Sequence, residues 1–185
     1  DDSASRGLGD VYKRQLSTKL IFLSMERKTP PVLSNLDPIL DDEGFYGVKL
    51  AIEDNLTTGR FVGHDYKAEF HRILLNENLK SEFQKLLNQG NKFFIVDLNE
   101  KELKTLFETS NSEEIIIFNV RSKADSLRNE NCKKNLLHVP PSYSMLSDAL
   151  TQYLVKKKWN KWFLVTGPDE NAVSYTHLRA HETLN

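Results

Sequence analysis

Apolar residues along the chain fall into short solid runs, separated by stretches in which they recur at helical spacing. Lys19-Leu-Ile-Phe-Leu-Ser-Met25 is a run of the kind buried in a sheet, and Phe93-Phe-Ile-Val96, Ile115-Ile-Ile-Phe118 and Leu136-Leu-His-Val139 repeat it. Tyr66 to Leu75 reads as a further strand and Trp162-Phe-Leu-Val165 as the last. Between the strands, Phe45, Val48, Ala51 and Ile52 share a helical face, and Asn55 to Gly59 supply a stop. Leu79, Phe83, Leu86 and Leu87 form a second stripe, closed by Gly90. Asn99 followed by Glu102 opens a helix in capping-box fashion, with Leu103, Leu106 and Phe107 on its apolar side. The clearest helix carries Leu146, Ala149, Leu150, Tyr153 and Leu154 on one face. Glu26 to Asp42, with Pro30, Pro31 and Pro38, reads as a long loop, and Asn119 to Lys134 as a polar connection.

Strands alternating with helices, and strands apolar throughout instead of on one side, predict an α/β fold. Its expected form is a three-layer sandwich, a parallel sheet covered by helices on both faces. In such sheets ligands sit outside the carboxyl ends of the strands. The positions that matter are then Glu26 and Arg27, Asp97 to Asn99, Asn119 to Ser122, Pro140 to Tyr143, and Thr166 to Pro168.

The two ends break the periodicity. Residues 1–15 and 173–185 resemble translated sequencing-adapter read-through and are expected to be non-native tails around a genuine segment, 16–172. On that expectation the gene continues past both ends. His177 and His181 stand i,i+4 like a metal-binding pair on a helix, but inside a tail the spacing carries no meaning. The tails' charges cancel: Arg6, Lys13 and Arg14 against Asp1, Asp2 and Asp10, and Arg179 against Glu182.

Composition then narrows the function. The 185 residues hold 25 Lys and Arg against 26 Asp and Glu, a net charge of −1, so no global field exists to hold a polyanion, and nucleic acid is not an expected partner. No apolar run approaches the roughly 20 residues of a membrane helix, so no direct insertion in the bilayer is expected, and no complete signal peptide can be read. The lone Cys132 excludes a disulfide within the chain, a CxxC redox centre and a thiolate zinc cluster. No P-loop, GxGxxG, HExxH or GxSxG occurs, which removes the usual supports for nucleotide chemistry and hydrolysis. His64, in a loop, and His71 and His138, in strands, have no metal-ligand spacing, and no metal or cofactor is expected. Asp41, Asp42 and Glu43 precede a helix, where carboxylates suit the positive end of its dipole. Lys156-Lys-Lys158 suits the opposite end of another. Asn55-Leu-Thr57 matches a glycosylation sequon but coincides with the expected helix-ending turn. An enzymatic reading rests on Asp97, placed at a strand end like the acceptor carboxylate of receiver-like and hydrolase-like folds; it requires an acidic cluster facing that residue.

Longer stretches carry a family resemblance. Glu26-Arg-Lys-Thr-Pro-Pro-Val-Leu-Ser-Asn-Leu-Asp-Pro38, then Asp42-Glu-Gly44 and Gly47-Val-Lys-Leu-Ala-Ile-Glu-Asp-Asn-Leu-Thr-Thr-Gly-Arg-Phe-Val-Gly63, resemble the opening of a solute-binding protein of ABC transporters. Phe118-Asn-Val-Arg121, Asp125-Ser-Leu-Arg128, Asn135-Leu-Leu-His-Val-Pro-Pro-Ser142 and Met145-Leu-Ser-Asp-Ala-Leu-Thr-Gln-Tyr-Leu154 continue the likeness. The family is the type 1 periplasmic-binding fold that includes the branched-chain amino-acid receptors. The subgroup it resembles is the one associated with pyrroloquinoline-quinone-dependent alcohol catabolism.

The resemblance implies a two-lobed, non-enzymatic, extracytoplasmic (periplasmic) receptor that delivers a small solute to an ABC permease, and this chain would hold most of the first lobe. In relatives, ligand contacts from that lobe come from the loops after the third and fourth strands. The candidates here are therefore Asp97, Asn99, Asn119, Arg121 and Ser122, to which the strand-end positions add Tyr143. Asn99 and Ser122 offer neutral hydrogen-bond groups, and Arg121 a fixed fork suited to a carboxylate or sulfonate; each also has a plain reading as a cap or turn residue. Asn55 and Arg60 are expected to fix the turn after the first helix. The Ser/Thr-rich segment that amino-acid receptors carry after the third strand is missing, so an amino-acid ligand is not expected. The alternative within the same fold is a ligand-sensing domain of a receptor or transcriptional regulator.

Overall fold

The computed structural model describes residues 16–28, 44–109, 114–159, 161 and 163. The tails, most of the proline-rich loop, Asp41 to Glu43, Gly167-Pro168 and all but Phe163 of the strand expected at 162–165 lie outside them.

Five strands pair side by side in an all-parallel sheet: β1 (Leu16–Met25), β2 (His64–Ile73), β3 (Phe93–Asp97), β4 (Ile116–Asn119) and β5 (Leu136–His138), in the order β2-β1-β3-β4-β5. The helices are α1 (Phe45–Val62), α2 (Leu79–Asn88), α3 (Glu100–Thr109) and α4 (Tyr143–Lys156). The α/β class expected from the sequence is the one observed. By contact density the described residues divide into two units, one of 16–20 with 44–69 and one of 21–28 with 70 onward.

In the first unit, α1 runs straight through Asn55 to Gly59, where the sequence placed a stop. The polar residues there turn their side chains back onto their own helix: Asn55 Nδ2 donates to the Ala51 carbonyl at 2.7 Å and Thr57 Oγ1 to the Asp54 carbonyl at 2.6 Å. Termination comes at Gly63, whose φ of 75° is left-handed and whose N–H returns to the Gly59 carbonyl. Asn55 and Arg60 therefore lie within the helix, not in the turn, and the sequon sits on an exposed helical surface. Gly59 is required by close approach: a Cβ there would stand 2.7 Å from the His64 carbonyl oxygen. His64 itself is the first residue of β2, not a loop residue, and its Nδ1 lies 3.1 Å from the Tyr66 hydroxyl.

In the second unit, one face of the sheet packs against α2 and α3. Ile21, Leu23, Ile73, Phe94, Val96 and Ile117 meet Phe83, Leu86, Leu103 and Leu106, all close to fully buried. Phe83 and Phe94 touch edge to face with ring centroids 5.0 Å apart. The strands are less uniform than their composition suggests. Phe94 and Val96 are buried while Phe93 and Ile95 are half-buried, because among the described residues the second face is only partly covered. For the same reason α4 departs from its expected face: Ser147 and Leu154 are buried, whereas Leu150 and Tyr153 are about half exposed. Ser147 tolerates burial because its hydroxyl donates to the Tyr143 carbonyl at 2.8 Å. No described helix is long and apolar enough to cross a membrane.

Candidate functional site

The carboxyl ends of β1, β3, β4 and β5 bring together Arg27, Asp97, Asn119 and His138. Beside them stand the first turns of α3 and α4. Parallel pairing sets this assembly: Val96 is the register partner of Asn119, and Asn119 that of His138.

The loop after β3 is short and fully determined. Leu98 is buried in the core, which leaves its neighbours at the surface. Asn99 caps α3, its Oδ1 accepting the Glu102 N–H at 2.9 Å while Glu102 Oε2 accepts the Asn99 N–H at 2.7 Å. The reciprocal pair read from the sequence is therefore present, with asparagine as the cap.

Asp97 lies between two guanidinium groups. Arg121 grips it with Nε on Oδ1 and Nη2 on Oδ2, the latter at 3.1 Å. Arg27 reaches it from the end of β1, Nη1 to Oδ1 at 3.5 Å and Nη2 to the Asp97 carbonyl at 3.0 Å, and the same Nη2 meets Glu102 Oε2 at 3.2 Å. The Asp97 side chain is 17% exposed and that of Arg121 47%. The group faced across the strand ends is thus cationic, and the acidic cluster that the enzymatic reading requires is not what Asp97 meets. Glu26, the preceding residue at the end of β1, instead accepts the Leu75 N–H at 3.1 Å.

Asn119 is completely buried and organises the loop after β4. Its Oδ1 accepts the N–H groups of Arg121 (3.1 Å) and Ser122 (2.8 Å); its Nδ2 donates to the Ser122 carbonyl (2.7 Å) and to His138 Nδ1 (3.0 Å). Two backbone donors on the oxygen fix which way the amide points, so His138 Nδ1 must be the unprotonated nitrogen. Burial pushes the imidazole below its ordinary value, as does nearby Arg128, while a hydrogen bond with the Leu127 backbone opposes them. Ser122, also buried, faces the Ala124 N–H at 3.5 Å. Asn119 and Ser122 are both buried and shape the loop that carries Arg121.

At the start of α4, Ser142 caps the helix by accepting the Met145 N–H at 3.2 Å. Asp125 accepts the Ser144 N–H at 3.2 Å and the Ser144 hydroxyl. Burial raises the Asp125 carboxyl, but bonds from Ser142 and Ser144 and the charge of Arg128 outweigh it and hold the group below the usual carboxylate range. Arg128 donates to the Pro140 carbonyl, and its buried Nη1 has no partner among the described residues. Tyr143, the first residue of α4, is half-buried and donates its N–H to the Lys123 carbonyl at 3.0 Å.

All six residues expected from the sequence thus lie at one rim. Those that the sequence did not single out as contacts are Arg27, Glu102, Asp125 and His138. Of these, Arg27, directly after an apolar strand, and Glu102, three residues after the Asn99 cap, carried a local signal; Asp125 and His138 are joined to the site by pairings distant in sequence. No group of three or more His, Cys, Asp or Glu among the described residues is placed to hold a metal ion.

No protein-family model matches the chain, and no curated protein does. Among solved structures, a periplasmic binding protein from Burkholderia mallei is similar with a TM-score of 0.56 at 16% identity, covering 90% of this chain and 43% of its own. An ABC transporter substrate-binding protein from Desulfitobacterium hafniense is similar with a TM-score of 0.62 at 15% identity, covering 90% of this chain and 48% of its own. The chain therefore shares their fold and spans about half their length.

Proposed function

We propose that the chain is the first lobe of an extracytoplasmic solute-binding protein serving an ABC importer. The observation that carries this reading is the likeness to two binding proteins over 90% of the chain, against 43% and 48% of theirs, the proportion expected of one lobe in two. The stretches from Glu26 to Gly63 and from Phe118 to Leu154 support the same family and, within it, the subgroup linked to quinone-dependent alcohol catabolism. In this reading residues 1–15 and 173–185 are foreign to the gene, and a second lobe follows 172.

Such a receptor makes and breaks no covalent bond. A solute rests on the strand-end rim of one lobe, and its better fit to the closed form draws the lobes together, the form a permease recognises. The rim's part is to present fixed groups. Asn119 holds the loop of Arg121, the Asn99–Glu102 pair holds the start of α3, and Arg27 ties both to β1 through Asp97. Rigid groups lose little freedom when a solute arrives.

The test is the genomic reading frame that contains the chain. An ABC permease and ATPase beside it support the proposal; a helix-turn-helix fused ahead of β1, with no transporter genes nearby, replaces it with the regulator reading. Thermal-shift screening of the encoded protein then identifies the solute, since binding to the folded state alone raises its stability.

A further inference from the structure

We propose that the solute taken at this rim is uncharged, and that Asp97 is the residue that excludes anions. The inference rests on the solute-binding reading above and concerns the chemical class of the ligand. Three features of the rim would ordinarily attract an anion: the Arg121 fork, the Arg27 guanidinium and the starts of α3 and α4. Each already faces a carboxylate of the chain. Arg121 meets both Asp97 oxygens, and Arg27 meets Asp97 and Glu102. Glu102 sits at the start of α3 through its bond with the Asn99 N–H, and Asp125 at the start of α4 through Ser144. The remaining guanidinium, Arg128, lies near Asp125, and its Nη1 is buried beyond a solute's reach. Charges are thus matched inside the lobe before any ligand arrives. An incoming carboxylate must displace Asp97 and leave that group, only 17% exposed, against a second anion.

Beyond these pairs and the half-buried Lys123 of the loop after β4, what the rim offers is neutral. Asn99 is exposed and uses its oxygen on the cap, which leaves its amide N–H groups for a solute. Tyr143 brings a phenolic hydroxyl at the start of α4. Donors and acceptors of this kind suit alcohols, polyols or amides.

The test compares wild type with Asp97→Ala and the near-isosteric Asp97→Asn in thermal melts, with acetate titrated against sodium chloride at equal ionic strength. Wild type is expected to show no acetate-specific shift, whereas both variants, with the Asp97 carboxylate withdrawn from Arg121 and Arg27, gain a saturable rise in Tm. A saturable rise in wild type, or none in either variant, overturns the assignment of Asp97. The protein from the complete reading frame is screened in parallel with short alcohols and polyols and with the matching carboxylates. A shift with an uncharged solute alone supports the inference. A shift with a carboxylate overturns it while leaving the receptor reading in place, and no shift with any solute overturns the receptor reading and the inference with it.

Discussion

Removing the Asn119 side chain is expected to cost more than any other polar substitution among the described residues. Four hydrogen bonds end on it, and the residue is completely buried. Asn119→Ala strands the Ser122 N–H and carbonyl, the Arg121 N–H and His138 Nδ1; at about 1–3 kcal/mol per buried group left unsatisfied, and with partial relaxation, the loss is about 3–4 kcal/mol. In a chain of this size that corresponds to a fall in Tm of roughly 6–15 °C. Urea denaturation at pH 7.5 measures it, and a loss below about 1 kcal/mol would show that water or a shifted loop replaces these bonds. The His138 bond adds a signature in pH. Because the folded state holds His138 neutral, with its pKa depressed from 6.5, the unfolded chain binds the proton more readily. The wild-type contribution is therefore whole above pH 6.5 and is lost as pH falls through the depressed value. Asn119→Asp reverses the sign. A carboxylate facing Nδ1 raises the imidazole's folded pKa, so that contribution is present below 6.5 and lost as pH rises through the raised value. The same slope in wild type and Asn119→Asp between pH 5 and 7.5 would falsify the tautomer assigned to His138.

The remaining predictions concern packing and caps. Gly59→Ala is expected to destabilise by about 1–3 kcal/mol despite alanine's better helix propensity, because the new methyl meets the His64 carbonyl; unchanged or increased stability in urea melts would refute the close approach. Phe83→Ala removes a fully buried ring from its contact with Phe94 and should cost about 3–5 kcal/mol in thermal unfolding. Ser142→Ala loses the cap of α4, at about 1 kcal/mol, and should raise the titration midpoint of Asp125 followed by NMR; an unmoved carboxyl would exclude the bond between them.

The sheet and its buried strands were legible because burial demands solid apolar runs, and Phe93 to Val96 or Ile115 to Phe118 have no other plausible use. The start of α3 was legible because a capping box is local: Asn99 and Glu102 lie three residues apart and need nothing else. The end of α1 was not. Asn55, Thr57 and Gly59 have the composition of a turn, but side-chain bonds to the helix's own carbonyls and contact with His64 decide otherwise. At the rim, position alone identified Asp97 and Arg121, yet their relation could not be read. Arg27 lies 70 residues from Asp97 and Arg121 lies 24, so only the assembled strand order makes them neighbours. The same holds for Asn119, whose bond to His138, 19 residues on, and burial within the loop only the assembled strands show.

That buried amide also bears on how the sheet finds its alignment. β5 is three residues long, and its apolar members Leu136 and Leu137 could lie against β4 one step out of place with little change in greasy contact. One step would set Asn119 opposite Leu137 or Val139, enclosing an amide with nothing to bond and turning every side chain of β5 to the wrong face. The Asn119–His138 pair therefore distinguishes one folded alignment from its neighbours: apolar burial is served about equally by each register, and this polar match by one alone.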